Sequence, residues 1–193
     1  ANLCATTTSD VYINPNIDQE CITDECGTQQ NPFKTITWAL PMIMPSEDNI
    51  VTIHLEEGTY SPSTNGEIFP IILPDYVNLE GQNEDLTILN AEQTAGVIEI
   101  KDCDNIIISN LTITGGNSTV NGGGIYLHSS SPTLTHLTIK GNTSGEYQEG
   151  EFMGPYQGGG GMYLNFSNPN ITHSFKRITI IFYFYAIYTI ARN

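Results

Sequence analysis

Residues 122–136 read GGGIYLHSSSPTLTH, and residues 159–173 read GGGMYLNFSNPNITH. Nine of the fifteen positions are identical at a constant offset of 37, including Tyr126/Tyr163, Pro132/Pro169 and His136/His173. A chain that repeats a short alternating segment in phase puts its copies in equivalent surroundings. The fold class that does so with strands is a solenoid, in which each coil stacks on the one before it.

The sequence around the repeat has the same character. From residue 50 onward, short β-branched runs follow one another: IVTIHL, FPIIL, YVNLEG, LTILN, GVIEI, NIIIS, LTITGG, GIYL, LTHLTIKG and GMYL, separated by Gly, Asn, Asp and Pro. These are strands with turns between them, and no helical pattern intervenes to build a doubly wound sheet. Asn78-Leu-Glu is followed 20 residues later by Ile98-Glu-Ile, Leu111-Thr-Ile 26 later by Leu137-Thr-Ile, and Ile125-Tyr-Leu 37 later by Met162-Tyr-Leu. A coil of 20–27 residues accounts for all three if residues 144–157 are an inserted loop, since removing 14 residues from 37 leaves 23. Alternation places Ile125, Leu127, Leu137 and Ile139 inward and Tyr126 and Thr138 outward. Adjacent rungs about 4.8 Å apart then stack Tyr126 on Tyr163 and His136 on His173. Gly122, Gly123, Gly124 and Gly158–Gly161 precede strands rather than helices, so they are expected to serve tight turns at positive φ rather than a phosphate cradle.

The expected organisation is one domain: a loop and cap over 1–45, coils over 46–173, and an atypical C-terminal strand over 174–193. Residues 32–43, PFKTITWALPMI, are the one good helix candidate, with Pro32 at the first helical position and Phe33, Ile36, Ala39, Leu40 and Ile43 on one face. The strings NPFKTITWAL, EEGTYSP and GEIFPIILPDYVNLEGQN resemble the N-terminal part of a right-handed parallel β-helix domain of unknown function in the pectin-lyase-like group. The GGGIYL…SSPTLTHLTIKGN rung resembles the coils of bacterial surface β-helices, including polymorphic outer-membrane proteins. The resemblance implies a right-handed parallel β-helix, an extracellular or cell-surface setting and a helical cap on the first coil. It implies no particular reaction.

Charge narrows the partners. The chain holds 21 Asp/Glu and 6 Lys/Arg, and residues 1–104 hold 18 of the acids with only Lys34 and Lys101. No basic stripe is available to neutralise phosphates, which argues against nucleic acid. No run reaches the roughly 18 apolar residues of a membrane helix. Four cysteines point to two disulfides and an oxidising compartment. Three pairings are open, and Cys21–Cys26 with Cys4–Cys103 is preferred, leaving no free thiol. Five Asn-x-Ser/Thr triplets, at Asn110, Asn117, Asn142, Asn165 and Asn170, fit a polar extracellular surface.

Enzymes of this architecture cleave acidic polysaccharides with calcium-bound acids and a base, or with paired Asp residues. Residues 51–173 contain no Arg and no paired Asp-Asp motif. Asp102 and Asp104 in KDCDN read first as turn residues, and as calcium ligands second. No cofactor is expected, calcium being the one ion these two would suit. The inserted loop offers Tyr147, Glu149, Glu151, Phe152 and Tyr156, aromatic and acidic side chains suited to a carbohydrate. At the C-terminus, ITIIFYFYAIYTIA (178–191) has no charge, Pro or Gly. Ile178, Ile180, Phe182, Phe184 and Tyr188 are expected to form a subunit contact, with an intrachain cap as the alternative. The sequence therefore points to a secreted or surface β-helix that is non-catalytic, adhesive or structural, and self-associating into filaments. A polysaccharide-active enzyme is the competing reading.

Overall fold

A computed structural model of the chain describes residues 8–22, 25–119, 122–145 and 160–172, and the backbone of 180–183. It is a parallel β-solenoid. Among the described residues fifteen strands follow in chain order: β1 (Asp10–Ile13), β2 (Val51–Leu55), β3 (Gly58–Tyr60), β4 (Ile71–Ile72), β5 (Val77–Gly81), β6 (Thr87–Asn90), β7 (Ile98–Lys101) and β8 (Ile107–Thr114), then β9 (Asn117–Ser118), β10 (Ile125–His128), β11 (Thr133–Ile139), β12 (Thr143–Ser144), β13 (Met162–Asn165), β14 (Asn170–Thr172) and β15 (Ile180–Tyr183). One sheet runs β1-β2-β5-β8-β11-β14 with β3 and β6 branching from it; a second runs β15-β13-β10-β7-β4; β9 and β12 pair as a third. Every pairing between these strands is parallel.

The expected repeat is the observed register. Ile125, Tyr126, Leu127 and His128 lie opposite Met162, Tyr163, Leu164 and Asn165. The Tyr126 and Tyr163 rings stack with centroids 5.7 Å apart. Leu111 lies opposite Leu137. Inward positions alternate with outward ones, so Val51, Ile53, Leu55, Val77, Leu79, Ile108 and Leu134 form columns inside one apolar core.

The coil length is corrected. Val51 pairs with Val77, a step of 26 residues, and Leu79 pairs with Ile108, a step of 29. Ile98 pairs with Ile71 and Ile125 and so belongs to the other sheet, not to the column of Asn78. The 20-residue match set two faces of one coil against each other and was also out of phase, since it placed inward Leu79 against outward Glu99. The surplus in the 37-residue step is likewise 11 rather than 14, and residues 146–157 of the expected insertion lie outside the described residues. Thr143 still pairs with Asn117 at the ordinary step of 26, while Met162 pairs with Ile125 at 37, so 11 extra residues enter after Gly145.

Corners recur in columns. Asp102, Ser129 and Phe166 have φ of 55°, 47° and 51° at the ends of successive coil strands, and Asn110 and His136 have 57° and 49° where β8 and β11 bend from one face to the next. Left-handed backbone at each corner lets the chain turn without breaking the ladder, and Asn, Asp and His tolerate it better than most residues. His136 thus sits on a bend rather than a flat face; His173 lies outside the described residues. Gly122, Gly123 and Gly124 do not adopt the expected positive φ. They allow backbones to approach: a Cβ on Gly123 would lie 2.0 Å from Thr143 O, and one on Gly124 would lie 2.3 Å from Gly161 O.

The N-terminal edge is closed by main chain. Tyr12 N–H donates to Gly27 O, Asn14 N–H to Phe33 O, and Phe33 N–H to Tyr12 O. Phe33 is held extended for this purpose, so the helix starts later than Pro32. Helix α1 covers Ile36–Ala39 with Thr35 as its N-cap, and a 3-10 turn at Leu40–Met42 accommodates Pro41. Phe33, Ile36, Ala39 and Ile43 are buried as expected, and Leu40 is partly buried. Glu67, 1% exposed, holds this cap to the coils. Its carboxylate accepts from Ile36 N–H at 2.6 Å, Thr37 N–H at 3.0 Å and Thr37 Oγ1 at 2.6 Å. Burial pushes the Glu67 pKa up, and these donors, with Ile68 N–H, pull against it.

Cys21 and Cys26 are bridged. Cys103, expected in a second bridge to Cys4, is a free thiol whose Sγ is turned to Lys101 O; Cys4 lies outside the described residues. At the other end, Ile180–Tyr183 pairs with β13 of the same chain. The backbone of Ile180 and Phe182 therefore adds an intrachain rung, where a subunit contact was preferred; Ile178, Phe184 and Tyr188 lie outside the described residues. The β-branched and aromatic content suits either role, and the register of one more coil strand is already set by β13. Among the described residues no helix is long and apolar enough to cross a membrane.

Replacing Glu67 by Gln leaves the helix N–H groups short of an acceptor. A loss of about 1–3 kcal/mol in unfolding free energy is expected. Urea denaturation checks it, and a midpoint equal to the parent's would remove Glu67 from its role as a clamp.

Candidate functional site

The outer face of the first sheet carries one row in which polar chemistry concentrates. Because β1, β2 and β5 each bury alternate apolar residues, Tyr12, His54 and Glu80 point outward and occupy the same rung position, with Ser109 following. The Tyr12 and His54 rings are stacked, centroids 4.9 Å apart and planes 23° apart. Asp10 Oδ1 lies 2.8 Å from His54 Nε2, and Glu80 Oε2 lies 3.5 Å from Nδ1. Donation from His54, then from Ser9, holds the Asp10 carboxyl below its ordinary range, so Asp10 is the acceptor at neutral pH.

A groove of about 510 Å³ opens beside this row, lined by Tyr12, Gln29, His54, Leu55, Glu56, Glu80, Gly81, Gln82 and Asn110. Gly81 is required there, since a Cβ would stand 2.1 Å from Asn110 O, where the bend of β8 passes. Glu56 is anchored by Asn14 Nδ2 at 2.7 Å. An imidazole between carboxylates, flanked by side-chain amides and a phenol ring, can hydrogen-bond hydroxyls, hold a cation or exchange protons.

The residues singled out by sequence fall elsewhere. Tyr147, Glu149, Glu151, Phe152 and Tyr156 lie outside the described residues. Asp102 occupies a left-handed corner, and Asp104 Oδ1 accepts from Ser131 N–H at 2.8 Å, tying adjacent coils. Among the described residues no group of three or more His, Cys, Asp or Glu is placed to hold a metal ion. Of the Asn-x-Ser/Thr triplets, Asn142 spends its amide between coils, accepting from Gly116 N–H and donating to Ile113 O. The groove residues escaped sequence reasoning because DVYI, VTIHL and VNLEG share only their alternation. Aligning those three strings would have put Tyr12, His54 and Glu80 in one row.

The depressed Asp10 pKa fixes a sign. Its contribution to stability is present above the unfolded carboxylate pKa of about 4 and is lost as pH falls through the lower folded value. Asp10→Asn should therefore be less stable than the parent at neutral pH, with the gap closing as pH falls below about 4. Urea midpoints measured across that range check this; a gap that stays constant on acidification contradicts it.

Comparison with known proteins adds one match. No curated protein and no solved structure matches the chain. Residues 22–88 match a family model described as a protein of unknown function (DUF1565). The matched segment spans Cys26, the cap, His54, Glu67 and Glu80; the chain is a parallel β-solenoid whose residues 22–88 are similar to this family of unknown function.

Proposed function

We propose that the chain is a non-catalytic extracellular or cell-surface protein, with the β-helix as an adhesive and structural scaffold. The observation that carries this reading is how the carboxylates of the cap and coils are used. Glu67 clamps the cap, Glu20 accepts from Lys34 N–H, Asp75 accepts from Asn105 N–H, Glu84 accepts from Thr138 Oγ1, and Asp104 accepts from Ser131 N–H. Each fixes a turn or joins neighbouring coils. Hydrolytic or lyase chemistry needs an acid and a base converging on one reacting atom. His54 instead has a carboxylate facing each ring nitrogen. The Cys21–Cys26 bridge supports an oxidising compartment. Self-association belongs to the same reading: among the described residues β15 is the last strand of its sheet, with β13 on one side, and a parallel edge left open there would be a template for another chain.

The enzyme reading draws on the same groove, where His54 and Glu80 meet. Incubation with polygalacturonate, alginate and a neutral glycan, with and without calcium, separates the two. No unsaturated or new reducing-end product is expected, and light scattering should show species larger than the monomer. Products that vanish in His54→Ala or Glu80→Gln would establish an enzyme, and a chain that stays monomeric at high concentration would remove the assembly role.

A further inference from the structure

We propose that the groove beside His54 binds a hydroxyl-rich oligosaccharide bearing free amino groups, an oligomer of a hexosamine. This assignment rests on the binding role proposed above and names the ligand class. The groove, about 510 Å³, has the size of a small-ligand cleft. Its charge is one-sided. Glu56 and Glu80 line it with no Lys or Arg among its lining residues. The single group there that can become cationic, His54, is turned to Asp10. Glu80 is half exposed and its nearest partner is His54 Nδ1 at 3.5 Å, longer than a strong charge-assisted bond. A ligand ammonium would supply a cation beside Glu80 and Glu56. A polyuronate would set its own carboxylates against them with no countercharge, in a half of the chain where acids outnumber bases 18 to 2.

Charge alone does not specify a sugar; the rest of the lining does. Gln29, Gln82 and Asn110 are among the lining residues and bring side-chain amides, groups that can donate to and accept from hydroxyls; Gln82 Oε1 also accepts from Glu57 N–H. Tyr12 and His54 add a stacked pair of flat rings at one side. The lining comes from β1, β2 and β5 on three successive coils, from the bend of β8, and from the connecting segments that carry Gln29, Glu56 and Gln82.

Calorimetric titration of the intact chain tests this with four probes: a fully deacetylated glucosamine oligomer, its N-acetylated counterpart, a galacturonate oligomer of equal length, and tetralysine. The deacetylated oligomer should bind at least about tenfold more tightly than the acetylated one, the loss of one charge-assisted contact. The galacturonate should not bind. Glu80→Gln, with an unfolding midpoint matching the parent's, should weaken the deacetylated oligomer by about fivefold or more. The assignment is overturned if the deacetylated oligomer fails to bind, if either other sugar binds equally well, or if Glu80→Gln binds as the parent does. Tetralysine binding as tightly as the amino sugar would reduce the site to a charge trap and also overturn it. Mass analysis of the recovered oligomer is separate: cleavage would sink the non-catalytic reading and leave the ligand class standing.

Discussion

Each coil of this chain relies on the next for its backbone hydrogen bonds, and the rest of the structure follows from that dependence. Parallel pairing at a fixed register requires every coil to return its strands to the same height. Positions 26–29 residues apart therefore share one environment through most of the stack, Val51 with Val77 and Leu79 with Ile108. Corners must turn without losing the ladder, which is why left-handed residues recur at Asp102, Ser129 and Phe166. Backbones pass closely enough at Gly81, Gly123 and Gly124 that a side chain would collide with the neighbouring main chain. Length differences fall between strands, as between β12 and β13, because a connection changes in length at small entropic cost while the register cannot change.

The same dependence makes the ends of the stack the places that need special chemistry. At the N-terminal edge, Gly27 and Phe33 complete the bonding of β1, the Cys21–Cys26 bridge closes the loop beside them, and Glu67 fastens the short helix. A buried carboxylate used this way is structural, and so are most of the acids that hold coil turns. What remains for recognition is the outward row on the first coils, where the cap strand supplies Asp10 and Tyr12 to a sheet that supplies His54 and Glu80. The capped end is thus also the end with the groove.

The solenoid was legible where two coils kept enough identity to align, at residues 122–136 and 159–173, and there the register is as the sequence indicates. It was not legible among the earlier coils, because VNLEG and IEIK are both short runs of apolar and polar residues that mark neither their sheet nor their phase. That ambiguity produced the false 20-residue match and hid the row of Tyr12, His54 and Glu80. Glu67 was hidden for another reason: a lone Glu after Gly66 reads as surface, and only the fold brings it to the N–H groups of a helix 30 residues earlier in the chain. The glycine run was read as tight turns at positive φ; its cause is instead the approach of neighbouring coils, a long-range contact that local turn rules do not contain.

The central claim is the in-register parallel stack, and nuclear Overhauser contacts between backbone protons test it most directly. Parallel pairing predicts cross-strand contacts linking Ile53 with Leu79, Leu79 with Ile108, and Leu127 with both Ile100 and Leu164. Observation of that set, with the slanted pattern of parallel ladders, is the expected result. Contacts linking Leu79 instead to Ile98 or Ile100, or the close Hα pairs of antiparallel strands, would contradict the stack and every site derived from it.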